Sequence, residues 1–563
     1  MKSDALWATL HPFYEAGGVL GRGVANEGFL NALLRANPYA GYHFFLADSG
    51  QVASVRERLK ERFPRLWEAG ALSITTRHEL PEALRTRRYA CFHLSDCVAE
   101  FAPLIRLRNA ILSERFSGEA LRQHFFPVTG PTHSLSYARY APYFFGHMWN
   151  GITRRDAVIV TSHAARGVME RYQAAFCRGY GLDAALFSAP RLERIPLGVA
   201  PEEFPAPEEK AALASKARMR YALPEGRLVF LVFARLSHYS KMDVIPLLKA
   251  LARAEGQGLR PSGYSVILSG WAEPGEATAG VYANLARAQG IDLRVIPSPS
   301  NEERKSLFAL ADIFVSPVDN PQETFGLSLL EAGASSLPVI ASDYDGYRDL
   351  VEHGTTGFLI PTYGPAVTPE SDVLSGVWFD NQYHLQIAQQ SVVDVPALAS
   401  ALALLAGNEA LRRAMGAAAR QKALTYRWEN IIAAHVALWD ALGREEIPEQ
   451  LGIAHPLHPG FTEIFGGYYT HLASSTALSG VRLQWSRSGQ ALYRGREHPV
   501  LYGGVSRLVD SEALRRLLFT ARRPVALEDL LPPSGESHRA DYEQRAFLVF
   551  WAWKQDFLEQ VPE

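Results

Sequence analysis

Between residues 228 and 341, short apolar segments alternate with segments that have the apolar spacing of helices. Five of the apolar segments are predicted to be buried strands, at 228–233, 264–270, 293–297, 313–315 and 337–341. Continuous apolar strands separated by helices are typical of parallel sheets that are covered on both faces. The pattern therefore predicts a doubly wound α/β sheet, in which ligands bind at the carboxyl ends of the strands.

The first 200 residues show a similar alternation. Strands are predicted at 42–47, 89–93 and 156–162, a strand with its loop at 126–134, and helices at 26–34 and from Ala164. A chain of 563 residues is too long for one hydrophobic core, so we expect two or three domains. The acidic, proline-containing segment 201–209 is predicted to be the hinge between two of them.

Composition excludes several classes of function. The net charge of −2 gives no electrostatic reason to expect nucleic acid as a partner. The three cysteines cannot all pair and lack zinc-ligand spacing, so we expect reduced thiols in a cytoplasmic protein. The N-terminus has no signal-peptide pattern, and no run of about twenty apolar residues predicts a transmembrane helix.

Two glutamates, Glu323 and Glu331, flank a segment with helical spacing that follows the predicted strand at 313–315. Within one helix, their separation of eight residues corresponds to about 2.2 turns and up to ~12 Å, so both carboxylates would face one side. That arrangement suits a ligand with hydroxyl groups at two places, such as a nucleotide-sugar. Glutamates also occur by chance around helix starts, and spacing alone leaves that alternative open.

Anion-binding elements are predicted in three places. The backbone N–H groups of Phe325, Gly326 and Leu327 would lie at a helix entry, where they lack intrahelical partners. Two cations, Arg235 and Lys241, follow the strand at 228–233 and could neutralise a diphosphate leaving group. A glycine loop containing Gly17 and Gly18 precedes the helix at 26–34. Such a loop allows close approach to a ligand, although it can equally be a tight turn.

The string Glu323-x7-Glu331, Leu337-Pro-Val-Ile-Ala, Asp345-Gly346 and Gly354-x-x-Gly357-Phe-Leu resembles the donor-site signature of the retaining GT-B glycosyltransferases of family four, the glycosyl transferases group 1. The resemblance covers roughly residues 8–445. It departs from the family pattern at Asp345, where a glycine is usual, at Ala234, which replaces another glycine, and at Lys241, which lies one residue later than expected.

The resemblance implies an α/β protein of GT-B fold, with two Rossmann-like doubly wound lobes facing a cleft and a small α+β C-terminal appendage. It implies an acceptor-side lobe at 1–200, a donor-side lobe at 201–424, a helix at 425–446 that crosses back to the first lobe, and an appendage at 447–563. The implied reaction transfers a hexose from a nucleotide-sugar to a carbohydrate, lipid or protein acceptor with retention of configuration. No metal and no cofactor beyond the nucleotide-sugar co-substrate are expected.

Site residues are carried over from the family motifs position by position. Arg235 and Lys241 are expected to hold the diphosphate, and Glu323 with the amides of residues 325–327 to hold the donor sugar. Glu331 is expected to bind the ribose, and His133, at a predicted strand end, to line the reaction centre. Gly17 and Gly18 are expected near the diphosphate and the acceptor.

Several alternatives stay open. A nucleotide-sugar epimerase of GT-B fold, or a catalytically silent scaffold that acts through its C-terminal module, would share this architecture. The basic segment 51–90 could contact anionic membranes peripherally or be a solvated helical region. An insertion at 362–394 could be an acceptor-site lid, decoration or an oligomer contact. Residues 508–531 faintly suggest a winged-helix-like module, within an appendage of unknown role.

Overall fold

The computed structural model describes residues 3–14, 21–183, 187–272, 278–366, 369–378, 380–472, 478, 480–502, 505, 508–531 and 539–561. The chain forms two compact units, Met1–Ile453 and Ala454–Glu563. The predicted domain boundaries at 200, 424 and 446 stay predictions. No helix among the described residues combines the length and the apolar character that a bilayer-spanning helix needs.

The first lobe of the larger unit is built on a parallel sheet, which has seven strands among the described residues, in the order β3-β2-β1-β4-β5-β6-β7. The strands are β1 (Ser3–Thr9), β2 (Tyr39–Leu46), β3 (Leu72–Thr76), β4 (Tyr89–His93), β5 (Val128–Pro131), β6 (Ala157–Val160) and β7 (Arg191–Arg194). The helices are α1 (Gly21–Ala36), α2 (Ser49–Arg62), α3 (Pro64–Glu68), α4 (Leu80–Thr86), α5 (Phe101–Arg115), α6 (Gly118–His124), α7 (Ala141–Gly146) and α8 (His163–Tyr180).

The second lobe carries another parallel sheet, with six described strands in the order β10-β9-β8-β11-β12-β13. The strands are β8 (Leu228–Phe233), β9 (Tyr264–Gly270), β10 (Leu293–Pro297), β11 (Ile313–Ser316), β12 (Val339–Ser342) and β13 (Gly357–Ile360). The helices are α9 (Pro207–Arg220), α10 (Ile245–Ala254), α11 (Thr278–Ala288), α12 (Asn301–Leu310), α13 (Leu327–Ala334) and α14 (Tyr347–Leu350).

The remaining elements of the larger unit follow β13. They are β14 (Thr362–Tyr363), α15 (Pro369–Leu374), α16 (Asp380–Ala388), β15 (Val392–Val393), α17 (Val395–Gly407), α18 (Glu409–Thr425) and α19 (Trp428–Arg444). The predicted strands at 228–233, 264–270 and 293–297 have the bounds of β8, β9 and β10. The largely apolar sequences of β8 and β9 predict strands well because both faces of these strands are covered, whereas β10 is a half-buried edge strand that contains Arg294.

The chain passes between the two lobes twice, and the two crossings are hydrogen-bonded to each other. The Val199 amide donates to the Tyr426 carbonyl at 2.9 Å, and the Trp428 amide donates to the Val199 carbonyl at 3.2 Å. Helix α19 then returns along the first lobe, where the Trp439 indole donates to the Thr129 hydroxyl at 3.0 Å. The crossings therefore meet at one point beside the cleft.

The predicted basic segment 51–90 spans α2, α3 and α4. Two of its cations, Arg58 and Arg62, pair with Glu27 of α1 at 3.0 and 2.5 Å. Part of its charge is therefore balanced within the lobe, and contact with a membrane stays a prediction.

The smaller unit has its own core. It contains α20 (Phe461–Phe465), β16 (Arg482–Trp485), α21 (Arg487–Tyr493), α22 (Ser511–Thr520), β17 (Val525–Ala526), α23 (Leu527–Leu530), α24 (Arg539–Lys554) and β18 (Leu558–Gln560). Strands β17, β16 and β18 form an antiparallel sheet, and leucines of α22 and α24 pack beside Leu483 of β16. The predicted α+β appendage is confirmed, and its winged-helix character and its role stay predictions.

A buried ion pair fixes the first lobe internally. Arg108 of α5 donates to Asp156 through both terminal nitrogens, at 2.6 and 2.9 Å, and neither side chain is exposed to solvent. The Asp156 carboxylate also accepts from the Thr153 amide and hydroxyl, each at 2.9 Å, and Phe125 lies 3.9 Å from the guanidinium carbon. Every charged oxygen and most guanidinium donors are thus satisfied without water.

We predict that Asp156→Ala lowers the free energy of unfolding by about 3–5 kcal/mol, because it leaves the Arg108 charge buried and unpaired. Urea unfolding and the melting temperature of both proteins measure the loss. Glu170→Ala, which removes the exposed Arg166–Glu170 pair of α8, serves as the control and should leave the unfolding midpoint unchanged. Equal midpoints for wild type and Asp156→Ala would contradict a stabilising role for the buried pair.

Candidate active site

The carboxyl ends of the two parallel sheets face each other across a cleft. The Ser134 hydroxyl, after β5, donates to the Gln322 carbonyl at 2.9 Å. The Ser162 hydroxyl, after β6, donates to the Thr324 carbonyl at 2.8 Å. Direct hydrogen bonds therefore join the loops of the first lobe to the loop between β11 and α13. This is the edge at which α/β sheets bind ligands.

Glu323 and Lys241 meet in this cleft. The Lys241 ammonium pairs with Oε2 of Glu323, while Oε1 accepts from the amides of Thr324 and Phe325 at 3.2 and 3.3 Å. Burial by itself would raise the pKa of Glu323, but the Lys241 charge and these hydrogen bonds outweigh it and hold the pKa below its ordinary value. Glu323 is therefore ionised at neutral pH.

The prediction that one helix carries both glutamates is wrong. Helix α13 begins at Leu327, so Glu323 lies in the preceding loop. Gly326 has a φ of 100°, and a Cβ at this position would lie 2.4 Å from the Tyr347 ring. This backbone conformation is incompatible with a helix that continues back to Glu323. Gly326 and Leu327 do lie at the helix entry, as predicted.

Arg235 lies in the same β8–α10 loop as Lys241. The backbone on either side of it is fixed, because the Ala234 and Leu236 amides donate to the carbonyls of Ser269 and Trp271 at 2.9 and 2.8 Å. No side chain of the described residues forms a hydrogen bond or ion pair with the Arg235 guanidinium. This cation is thus positioned at a strand end without a carboxylate partner.

Glu331 is buried in α13, and its Oε1 pairs with Arg304 of α12. Burial raises the pKa of Glu331 above its ordinary value, opposed by the charge and hydrogen bond of Arg304 and, at longer range, by Lys241. The two motif glutamates thus have pKa values displaced in opposite directions, although both are buried.

Two aspartates near these groups are also perturbed. Burial and the neighbouring Glu323 charge raise the pKa of Asp345 well above its usual range. Burial raises the pKa of Asp319 to about 8, and the amide of Asp243 donates to this carboxyl at 3.3–3.4 Å. Perturbed carboxyl groups concentrated in one cleft are typical of a functional site. Asp345, where the sequence departs from the family pattern, has a φ of 50°.

His133 follows β5, on the first-lobe side of the cleft. Its Nε2 donates to the Ser95 carbonyl at 2.9 Å, and the next residue, Ser134, contacts Gln322. The chain neighbours of His133 and Glu323 are therefore in contact across the cleft. The roles of His133 and Glu323 themselves stay predictions. Gly17 and Gly18 lie outside the described residues.

Sequence reasoning missed Gln322, which joins three segments. Its Oε1 accepts from the Tyr137 hydroxyl at 2.8 Å, and its Nε2 donates to Asn381 at 3.3 Å. Asn381 belongs to α16 of the predicted insertion, and His384 of the same helix donates to the Ser136 carbonyl at 3.0 Å. The insertion therefore contacts both faces of the cleft. Nothing local in the sequence signals contacts between such distant residues.

Arg304 and Tyr347 were also missed. The Tyr347 hydroxyl lies 2.8 Å from the Ser316 hydroxyl and donates to Glu323 at 3.5 Å. Arg304 lies in α12 and Tyr347 in the four-residue helix α14, and the contacts of both side chains are with residues distant in the sequence. Within the part of the chain that the structure describes, no group of three or more His, Cys, Asp and Glu side chains is arranged to hold a metal ion. Metal independence stays a prediction.

Comparison with known proteins agrees with this geometry. Residues 215–367 match the family model described as Glycosyl transferases group 1. The chain carries a glycosyl transferases group 1 domain. This domain contains Arg235, Lys241, Glu323 and Glu331, so the resemblance that the signature predicted is confirmed.

Curated relatives match over about a third of the chain. The D-inositol 3-phosphate glycosyltransferase of Thermobispora bispora is 33% identical over 161 residues, which are 28% of this chain and 36% of the relative. That of Streptomyces avermitilis is 31% identical over 171 residues, 30% of this chain and 36% of the relative. The chain therefore spans about a third of the length of the curated relatives it matches.

Solved structures extend the similarity to both lobes. Anabaena HepE in complex with UDP and glucose is 15% identical with a TM-score of 0.50, covering 78% of this chain and 100% of HepE. A glycosyltransferase of Rickettsia africae is 12% identical with a TM-score of 0.52, covering 79% of this chain and 100% of that protein. At these identities the similarity concerns the fold alone, and the predicted GT-B fold is confirmed.

The pKa of Glu323 is lowered and that of Glu331 is raised, so the two residues should change the stability with pH in opposite directions. Glu323 has a lowered folded pKa, so its stabilisation is present above the ordinary value of 4.5 and is lost as pH falls through the folded value. Glu331 has a raised folded pKa, so its contribution to stability decreases as pH rises above 4.5.

Between about pH 3 and pH 6, we therefore expect the melting temperature of wild type relative to Glu323→Gln to increase with pH, chiefly below 4.5, and that relative to Glu331→Gln to decrease as the pH rises above 4.5. Each substitution keeps the side-chain volume and serves as the control for the other. Differential scanning calorimetry across this range measures both trends. Parallel trends for the two variants would contradict the opposite displacements.

Proposed function

We propose that this protein transfers a hexose from a nucleotide-sugar to an acceptor, with retention of anomeric configuration and without a metal ion. The observation that carries the proposal is the Arg235 guanidinium, which has no partner among the described side chains and lies on one loop with Lys241, the partner of Glu323. The group 1 family model over this lobe supports a glycosyltransferase. The UDP and glucose bound to HepE support a nucleotide-sugar donor.

In the proposed reaction, the bond between the anomeric carbon and the diphosphate oxygen breaks and negative charge develops on the diphosphate. Arg235, Lys241 and the first amides of α13 would stabilise that charge, because preorganised donors act most strongly in a site that excludes water. The Lys241–Glu323 pair would then loosen toward the phosphate, which leaves Oε2 of Glu323 to accept from a sugar hydroxyl. Glu331 would accept from the ribose.

Retention follows if the acceptor approaches on the same face of the sugar as the leaving group. The acceptor oxygen then forms its bond to the anomeric carbon, and its proton passes to a diphosphate oxygen. This route needs no separate base from the protein, which agrees with the role of His133 as a lining residue. The anomeric configuration of the product tests retention, and the effect of EDTA on the rate tests metal independence.

We predict that one of UDP, GDP and ADP raises the melting temperature of wild type, since a ligand at 100 times its dissociation constant stabilises by about 2.7 kcal/mol. Arg235→Ala should lose most of this shift because it removes the diphosphate cation. Arg253→Ala, an exposed arginine of α10, is the matched control and should keep it. A full shift in Arg235→Ala, or no shift with any nucleotide in wild type, would refute the proposed donor site.

The chemistry is tested with the sugar conjugate of the stabilising nucleotide. Proton NMR of the glycoside product should show the anomeric configuration of the donor, and the rate should be unchanged by EDTA. An inverted anomer would refute retention, and a rate that EDTA abolishes and a divalent cation restores would refute metal independence. Conversion of the donor to its epimer in the absence of acceptor would support the epimerase alternative instead.

A further inference from the structure

Arg304 occupies a position in the donor cleft to which the motifs assign no role. It projects from α12 and pairs with Oε1 of Glu331, and the side chains of the pair are only 19% and 7% exposed. Its guanidinium carbon lies 4.8 Å from the centre of the Phe204 ring and 6.0 Å from that of Phe233. Two aromatic faces and a carboxylate therefore hold this cation in one orientation.

The pair leaves one carboxylate oxygen available. Glu331 Oε1 is bound by Arg304, whereas no hydrogen-bond donor among the described residues reaches Oε2. The carboxylate lies in α13 near Lys241, whose charge acts on it. Because Oε2 accepts from no donor among the described residues, a ligand hydroxyl can bind it without displacing a protein group.

The charge state of Glu331 depends on a small set of groups. Burial favours the protonated carboxyl, and the Glu203 charge adds to that effect. The Arg304 charge and hydrogen bond, together with the Lys241 charge, oppose it. Lys241 is itself paired with Glu323, so Arg304 is the direct partner that favours the ionised carboxyl. A protonated carboxyl would accept a hydroxyl hydrogen bond far less strongly.

We propose that Arg304 is a positioning residue that holds Glu331 ionised and oriented, so that Oε2 accepts a hydrogen bond from a ribose hydroxyl of the nucleotide. The inference rests on the proposed function, in which Glu331 binds the ribose. A positioning role for Arg304 differs from a purely structural ion pair in one measurable respect. Loss of Arg304 should weaken recognition of the ribose hydroxyls in a manner that depends on pH, because raising the pH restores the Glu331 carboxylate.

The test compares UDP, or GDP or ADP in its place if that is the nucleotide that stabilises wild type, with its 2′,3′-dideoxy analogue, which lacks the hydroxyl donors, in the full-length protein. Isothermal titration calorimetry gives both dissociation constants between about pH 6 and pH 8.5 for wild type, Arg304→Met and Arg304→Lys. Methionine keeps the apolar contact with the two phenylalanines, and lysine keeps the charge. The matched control is Arg220→Met. It removes an exposed cation of α9 that pairs with Glu303 of α12, the helix that also carries Arg304.

Wild type and Arg220→Met should bind UDP about tenfold or more tightly than the dideoxy analogue at every pH, as expected for a hydroxyl bound to a charged acceptor. In Arg304→Met this ratio should fall toward one at the low end of the range and increase again as the pH is raised, with affinity for the dideoxy analogue unchanged. Arg304→Lys should retain an intermediate ratio.

If Arg304→Met shows the wild-type ratio of the two dissociation constants at all pH values, the positioning role of Arg304 is overturned and the proposed function is unaffected. Equal loss of affinity for UDP and its dideoxy analogue would do the same, because it would indicate a packing role. If wild type binds neither compound, or binds both equally, the ribose-binding role of Glu331 fails, and the inference fails together with that part of the proposed function. Equal melting temperatures for the variants confirm that binding differences do not reflect unfolding.

Discussion

The geometry of the cleft depends on the point where the chain crosses between the lobes. Val199 and the segment from Tyr426 to Trp428 are joined by two backbone hydrogen bonds, and the Trp428 ring fills the space beside two glycines. A Cβ at Gly198 would lie 2.4 Å from this ring, and one at Gly28 would lie 2.7 Å from it. Because both connections are fixed at one place, the loops that end the strands of the two sheets can meet only in a narrow range of positions. The contacts of Ser134 with Gln322 and of Ser162 with Thr324 follow from that constraint.

Within the cleft, the charged groups of the second lobe pair with residues from other loops and helices of the same lobe. Lys241 comes from the loop after β8 and Glu323 from the loop after β11, while Arg304 and Glu331 come from neighbouring helices. Isolated charges could not be buried here, so each pair stabilises its members in defined orientations. Arg235 differs, since its guanidinium has no partner among the described side chains. A fixed cation without a partner, beside pairs that can rearrange, is the arrangement that a charged leaving group requires.

The sequence predicted only part of the first sheet and did not predict the details of the site. Largely apolar runs placed β8 and β9, which are covered on both faces, whereas β1, β3 and β7 were not predicted. Periodicity failed at Glu323, because the positive φ of Gly326 makes the helix begin at Leu327 and apolar spacing carries no information about it. The resemblance supplied Lys241 and Glu331 as site residues, but the contacts of Gln322 with Tyr137 and Asn381 join segments far apart in the chain. Arg304 could not be distinguished from a solvated helix residue, since only its tertiary contacts with Glu331 and the two phenylalanines mark it.

Glu323 and Glu331 differ in how many hydrogen-bond donors the protein supplies to their carboxylates. Burial opposes ionisation at both, yet Glu323 receives an ammonium and two amide donors, whereas Glu331 receives one guanidinium. The number of donors therefore decides the direction of each pKa displacement. Glu323 is nearly saturated by the protein, so a ligand must exchange with Lys241 to reach it. Glu331 has no donor among the described residues at Oε2, and its raised pKa shows that burial of this carboxyl is only partly compensated. A protein that keeps such a group sacrifices stability at that position, which is consistent with a carboxylate retained for binding.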